Sequence, residues 1–288
     1  MAGDAGDVAW DLDPLVDGEG EAGVERLLDL ATGRARVFAE QHEGRVGELD
    51  GEGLVAAMRE LAEIQELAGR TGSYAMLWFS TNTQEPARGA LLQRVRERGT
   101  EIETALLFFD LEWAALDDAR AEELLGAEGL DFARHHLRTQ RRYRPHLLSQ
   151  PEERVLAEKR VTGESAWARL FSELTSAIEV DVLPEDPADG ASSETERVPL
   201  DAALSRLTAP SREIRRAAAE AVTAALEPGL RTRAYLFNTL LHDKAVDDRL
   251  RGYGHWLQSR NLANEASDES VQALVDAVKA RYELPQRW

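Results

Sequence analysis

The 288-residue chain carries 53 acidic and 34 basic residues, which gives a formal net charge of −19. This excess argues against nucleic acid or an anionic membrane as the main partner, because phosphate binding requires the opposite charge. We interpret the acidic excess as a feature that keeps the protein soluble. The alternative is that it attracts a cationic substrate or partner. The chain contains no cysteine, so disulfides, thiolate metal sites and catalytic thiols are excluded. The length allows one or two domains with a large core.

The first residues, MAGDAGDVAWDLDPL, are acidic where a secretory signal would be basic and then apolar. No apolar run approaches the roughly 18 residues that span a bilayer. We therefore expect a soluble, cytoplasmic protein without a membrane partner.

Trp10 to Leu15 form a short apolar anchor that we expect to dock on a later helix, followed by a flexible run from Asp17 to Gly23. A helical pattern then begins at Val24. Apolar residues at helical spacing predict an amphipathic helix from Leu54 to Tyr74, and the segment 74–79 is apolar all round and predicted to be buried.

Pro86 suits the first turn of a long helix that runs to about Leu116. Its apolar residues recur at steps of three, four or seven and predict pairing with another helix. A short helix, 120–125, follows. Asp131 then begins a helix that carries the basic cluster Arg134, His135, His136, Arg138, Arg141, Arg142 and Arg144. We interpret this cluster as a solvated face paired with glutamates; the functional alternative is a site for a peptide carboxylate.

The segment from Tyr143 to Val180 carries the densest set of local signals. Ser149 and Glu152 form a capping box that predicts a helix start at about Ser149. Gly163 is predicted to end that helix in the left-handed conformation. A second helix is indicated by the spacing of Trp167, Leu170, Phe171 and Leu174, and the alternation from Ile178 to Val182 predicts a half-buried strand.

The stretch 183–196 reads as an exposed loop that joins this strand to a partner around Arg197 and Val198, which makes a small hairpin. The predicted domains are therefore residues 1–190 and 197–288. Later helices are predicted at about 200–207, 211–226 and 229–250, with a last one capped by Ser267. The predicted fold class is mainly α.

The six histidines are His42, His135, His136, His146, His242 and His255. No two lie three or four residues apart, so the chain lacks the His-Glu-x-x-His pair that binds zinc on one helix face. The fragment His42-Glu43 has Val46 where a second ligand would stand. Phosphate-loop and nucleophile-elbow motifs are absent as well.

Paired acids could be drawn as acid/base or cation sites, namely Glu101 with Glu103, and Asp243 with Asp247 and Asp248 beside His242. Such pairs arise by chance in a chain this acidic, and we interpret them as solvated helix faces.

The order PHLLS, PEERVL, TG, AWARLF and a short strand resembles the N-terminal half of oligoendopeptidase F, in the thimet oligopeptidase family of zinc metallopeptidases. WDLDPL resembles the opening of such proteins, and SREIRRAAAEA fits a later helix. Tyr235 to Asn264 is similar to the family's next helix and turn, through Asn238, Arg251, Gly252, Tyr253, Arg260 and Asn261.

The resemblance implies a multi-helix N-terminal domain with one hairpin, followed by the first helices of a catalytic domain that stops before its metal-binding helix. The complete enzyme would use zinc to hydrolyse short peptides. No zinc is expected for this chain, and no catalytic, cofactor-binding or metal residue is assigned. Arg251, Tyr253 and Arg260 are candidates to line the peptide channel.

The chain ends at Trp288 in mid-pattern, so we expect a fragment that is inactive alone. A non-catalytic helical scaffold that binds peptides or proteins is the alternative. The missing C-terminal half, supplied by a second chain, is a further candidate partner.

Overall fold

The computed structural model describes residues 10–184 and 195–287, and it is mainly helical, as predicted. The first part of the chain contains α1 (Gly20–His42), α2 (Gly51–Thr81), α3 (Pro86–Ala115), α4 (Asp118–Leu125), α5 (Asp131–Arg141), α6 (Gln150–Thr162) and α7 (Glu164–Ser176). The second part contains β1 (Glu179–Val182), β2 (Glu196–Pro199), α8 (Leu200–Ser205), α9 (Arg212–Leu226), α10 (Leu230–Leu250), α11 (Gln258–Ala263) and α12 (Asp268–Lys279).

The main core lies where α1, α2 and α3 pack against one another. Phe38 of α1 contacts Phe108 and Phe109 of α3, with ring centroids 6.0 and 5.7 Å away. Trp113 is fully buried, and its indole N–H donates to the carbonyl oxygen of Leu137 at 2.9 Å. The prediction that α3 pairs with another helix is confirmed, and α3 in fact packs against both α1 and α2.

The N-terminal anchor docks on α1 and α2, as expected from the sequence. Leu12 packs against the core and Val16 is buried, whereas Trp10 is exposed. Arg70 of α2 holds the anchor by donating to the carbonyl oxygen of Leu15 at 2.9 Å. The predicted flexible run is wrong beyond its first residues, because α1 already begins at Gly20.

Helix α2 runs through the segment 74–79 instead of ending before it. Tyr74, Ala75 and Phe79 are buried, but Met76 and Leu77 are exposed. The prediction that the whole segment is buried is therefore wrong, since one face of a helix at the edge of the core still points to solvent.

The helix start predicted at Ser149 is confirmed. The hydroxyl and the backbone N–H of Ser149 both donate to Glu152 Oε2, at 2.6 and 3.0 Å. Gly163 separates α6 from α7 as predicted, but its φ is −101°, so the predicted left-handed conformation is wrong. A side chain at this position would be crowded, because its Cβ would lie 3.0 Å from the carbonyl oxygen of Lys159.

The predicted hairpin is confirmed as an antiparallel pair in which Val180 lies opposite Val198. A second, smaller core forms on it, where Val180 and Val182 pack with Ala203 of α8 and Val222 of α9. The proposed domain boundary falls in the connection between the two strands. Residues 185–194 of that connection lie outside the described part of the chain.

The last helices are sparsely buried. In α10 the buried residue is Leu236, and in α12 no residue is buried. Helix α11 is an element that the sequence did not predict. Among the described residues, no helix is long and apolar enough to cross a membrane.

Candidate functional site

A groove lies where α6 and α7 face α10, and we call it the α6/α10 groove. Its volume is about 750 Å³. Leu156 and Lys159 contribute from α6, Glu164 and Ala168 from α7, and most of the remaining lining comes from α10. The groove therefore joins the N-terminal helices to the part of the chain that follows the hairpin.

The wall formed by α10 presents large apolar side chains to the opening. Phe237 and Leu241 line the groove and are more than half exposed. Exposed apolar groups in a concave site are typical of surfaces that bind a ligand or another polypeptide.

A buried ion pair joins the first turn of α6 to the residue after α10, and it contacts Asp247 of the groove lining. Arg251 donates from Nη1 to Glu153 Oε1 at 2.6 Å and from Nη2 to Glu153 Oε2 at 2.9 Å. Its Nε also donates to Asp247 Oδ1 at 3.0 Å, and the side chains of Arg251 and Glu153 are only 13% and 9% exposed. Burial raises the pKa of Glu153, but the hydrogen bonds from Arg251 and from the backbone N–H of Leu148 outweigh it and hold this pKa below its ordinary value.

A second contact lies beside this ion pair. His146 and Tyr253 stack with ring centroids 4.0 Å apart. His146 Nδ1 donates to the carbonyl oxygen of Arg251 at 3.0 Å, while Arg251 Nη1 donates back to the carbonyl oxygen of His146 at 3.3 Å. Burial raises the pKa of Tyr253 above its ordinary value. The turn after α10 is thus fixed to the residues that precede α6.

The remaining charges of the groove divide into paired and unpaired groups. Lys244 donates to Asp248 Oδ2 at 2.6 Å, and Arg160 lies 3.6 Å from Glu103. In contrast, the side chains of Lys159, Glu164 and Asp243 form no hydrogen bond or ion pair with the described residues.

The histidines do not come together. His135 bonds to Glu265, His255 bonds to Asp268, and His146 is engaged with Arg251 and Tyr253. In the described part of the chain, no three His, Asp or Glu side chains cluster closely enough to hold a metal ion. The described residues therefore do not fit the zinc site that the resemblance implies.

The fragment His42-Glu43 lies at the end of α1, where the helix stops. His42 contacts Phe38 with ring centroids 4.6 Å apart, and Val46 is buried in the core. Glu43 accepts a hydrogen bond from Gln150 Nε2 at 3.0 Å. These residues serve packing and capping contacts.

The basic cluster of α5 is largely paired. Arg134 bonds to Asp131, and Arg138 lies 3.6 Å from Glu122. Arg141 bonds to Asp118 at 2.6 Å and donates to two backbone carbonyl oxygens of α3 and its C-terminal cap. These contacts favour the interpretation as an ion-paired face over a carboxylate site.

Most acids of the candidate acid/base and cation sites are paired with basic side chains instead of forming a common site. Glu101 lies 3.8 Å from Arg98 and Glu103 lies near Arg160, so both face basic side chains. Asp247 belongs to the Arg251 cluster, and Asp248 to the pair with Lys244.

Three residues were candidates to line a channel on the basis of the resemblance. Arg251 is instead buried in its ion pair, and Tyr253 stacks on His146. Arg260 is exposed on α11, next to Asn261, which is buried and donates to Asp268 Oδ1 at 2.7 Å. The turn after α10 is therefore held by packing contacts in this structure.

The sequence alone did not indicate the role of Glu153. A carboxylate in the first turn of α6 reads as a favourable charge for the helix end, and its partner is 98 residues away. No local pattern could have paired the two.

Comparison with known proteins gives a family match and a fold match. The family model described as Oligopeptidase F matches residues 112–179. No curated protein matches the chain.

Two solved structures share the fold. Oligoendopeptidase-F from Enterococcus faecium superposes with a TM-score of 0.74 at 20% identity, over 89% of this chain and 50% of the other. A protein described as a candidate peptidase from Chlamydophila abortus superposes with a TM-score of 0.59 at 18% identity, over 98% of this chain and 47% of the other. The chain thus spans about half the length of each structure. The predicted resemblance is confirmed: residues 112–179 carry the Oligopeptidase F pattern, within a chain that has the fold of about half of an oligoendopeptidase F.

Proposed function

We propose that the chain is the N-terminal half of an oligoendopeptidase F-like zinc metalloendopeptidase, whose complete form hydrolyses short peptides. Support comes from the Oligopeptidase F match and from a fold that accounts for half of a solved oligoendopeptidase-F. The proposal includes a cytoplasmic location, for which the absence of cysteine is the supporting observation.

The observation that carries the proposal is the uncovered apolar face of α12. Leu274 and Val278 follow the helical spacing of a core-facing stripe, yet they are 66% and 53% exposed. Tyr235 of α10 is exposed in the same way. Apolar stripes of this kind are covered by another part of a protein or by a partner. The proposed cover is the remaining half of the fold, either continuous with this chain or supplied by a second polypeptide.

We further propose that this chain alone neither binds zinc stoichiometrically nor cleaves peptides. The dispersed histidines and acids of the described residues support this. The test is to measure zinc content by mass spectrometry and cleavage of an internally quenched peptide, using the purified chain. Finding one tightly bound zinc per chain, with cleavage lost on chelation, would overturn this proposal.

The coding sequence after Trp288 tests the half-enzyme proposal directly. An in-frame continuation that contains His-Glu-x-x-His supports it. A stop codon, together with a monomeric product that has no second polypeptide bound, contradicts it.

A non-catalytic peptide-binding scaffold is the second candidate function. The observation that favours it is the α6/α10 groove, which is formed by this chain alone and needs no metal.

A further inference from the structure

We infer that the α6/α10 groove binds a short peptide with two free termini. The peptide carboxylate would lie toward Lys159 and its ammonium group toward Asp243. The inference rests on the proposed function for the choice of a peptide as ligand, and it adds the site, the direction of binding and a contribution of both termini to the affinity.

The dimensions of the groove suit such a ligand. Its volume of about 750 Å³ falls within the range of roughly 300–1,000 Å³ that is usual for small-ligand sites. A peptide of about four small or medium-sized residues would fill a space of this order.

The apolar part of the lining supplies the affinity. Phe237 and Leu241 project from α10, and Leu156 faces them from α6. Because Phe237 and Leu241 are more than half exposed in the free chain, a ligand with apolar side chains would remove their surface from water.

The unpaired charges of the groove determine the orientation of the bound peptide. Lys159 lies in the last turn of α6 and Asp243 lies on α10, and both side chains are free of partners among the described residues. Lys244 and Asp247 are already engaged with Asp248 and Arg251. The lining charges without a side-chain partner among the described residues are thus one cation, Lys159, and two carboxylates, Asp243 and Glu164. A zwitterionic chain can pair with Lys159 and with one of the two carboxylates.

Glu164 is a further carboxylate of the lining. It lies at the start of α7, where the positive end of the helix dipole offsets its charge. The ammonium group of the ligand is consequently assigned to Asp243 and not to Glu164.

The first measurement is a titration of the purified chain with the peptide Leu-Ala-Leu-Ala, followed by NMR chemical shifts or calorimetry. Two blocked peptides, one acetylated at the amino terminus and one amidated at the carboxyl terminus, are compared with it. Exposed charge pairs are weak, so each block should lower the affinity by about two- to fivefold.

Variants assign each terminus to its residue. Asp243→Asn should weaken binding of the free peptide and leave binding of the acetylated peptide unchanged. Lys159→Gln should weaken binding of the free peptide and leave binding of the amidated peptide unchanged. Asp276→Asn and Lys279→Gln, which remove the same charges from α12 outside the groove, serve as matched controls. Circular dichroism checks that all variants are folded.

Absence of binding by the folded chain overturns the inference, and so does binding that ignores the blocks or responds equally to the α12 controls. Reversal of the pairing between blocks and variants overturns the assigned direction. None of these results bears on the zinc content or on the coding sequence after Trp288, so the proposed function is tested separately.

Discussion

Glu153 of α6 and Arg251, the residue that ends α10, form a buried two-point ion pair across 98 residues of sequence. The pair is well satisfied, because Glu153 also accepts the N–H of Leu148 and Arg251 also binds Asp247. Buried charges are tolerated when every polar atom has a partner of this kind. The arrangement ties the C-terminal end of α10 to the first turn of α6.

Replacing Arg251 by alanine should destabilise the protein strongly. The substitution leaves the carboxylate of Glu153 buried without its cation, which costs about 3 kcal/mol in comparable cases. The free energy of unfolding in urea measures the effect. Arg154→Ala is the matched control in the same helix as Glu153, because the exposed side chain of Arg154 lies 4.0 Å from Glu158 and such pairs contribute roughly 0–1 kcal/mol. Equal losses in the two variants would contradict the role given to Arg251.

The same ion pair predicts an acid-sensitive contribution to stability. The pKa of Glu153 in the folded state lies below the ordinary value of 4.5. Its stabilising contribution is therefore complete above pH 4.5 and is lost as the pH falls through the lower, folded-state pKa. We expect the difference in unfolding free energy between the native protein and Glu153→Gln to shrink when the pH is lowered from 6 toward 3. A difference that stays constant over that interval would show that Glu153 does not titrate as described.

The sequence was sufficient for the elements that depend on near neighbours. The capping box at Ser149, the proline at the start of α3 and the alternation of β1 all involve residues within a few positions, and each is confirmed. What the sequence could not supply depends on distant partners. The burial of Glu153 is one case, and the exposure of α12, whose apolar spacing normally indicates a covered face, is another.

The candidate site shows the same limit. The histidine spacing was enough to exclude a helical zinc pair, because that pair requires two residues of a single helix. The α6/α10 groove combines Lys159 with Asp243, which lie on separate helices, and neither residue belongs to a motif. The packing of α7 against α10 brings the two walls together.

Asp110 of α3 should be a destabilising carboxylate at neutral pH. Burial and the nearby Glu103 raise its pKa above the ordinary value of 3.8, although His136 acts in the opposite direction. A carboxyl group whose folded-state pKa is raised lowers stability as the pH rises through its unfolded-state value. Asp110→Asn should therefore stabilise the protein at pH 7, and this gain should vanish near pH 3. Thermal unfolding at the two pH values checks it, with Asp29→Asn, an exposed aspartate paired with Arg98, as the control that gives no gain.

Gly163 and Gly99 should respond oppositely to replacement by alanine. A Cβ at Gly163 would lie 3.0 Å from the backbone oxygen of Lys159, whereas a Cβ at Gly99 would meet nothing within 4 Å. Gly163→Ala should therefore cost about 1 kcal/mol or more. Gly99→Ala, in the interior of α3, should gain about 0.5–1 kcal/mol because alanine favours the helix. The urea midpoint of each variant relative to the native protein measures the effect, and it should fall for Gly163→Ala and rise for Gly99→Ala. A stabilising Gly163→Ala would refute the packing argument for that glycine.

The uncovered face of α12 can be tested without knowing what covers it. Leu274 and Val278 are exposed in this chain, so the double substitution Leu274→Gln with Val278→Gln should change the free energy of unfolding by less than about 1 kcal/mol. It should also reduce the fluorescence of a dye that binds exposed apolar surface. Leu236→Ala is the contrasting variant, because Leu236 of α10 is buried and its truncation should cost about 2–5 kcal/mol.

In a protein that contains the second half of the fold, the same double substitution should become destabilising, since both side chains would then be buried. A large loss of stability from the double substitution in the present chain would mean that α12 is already covered here, and it would remove the main support for the half-enzyme proposal.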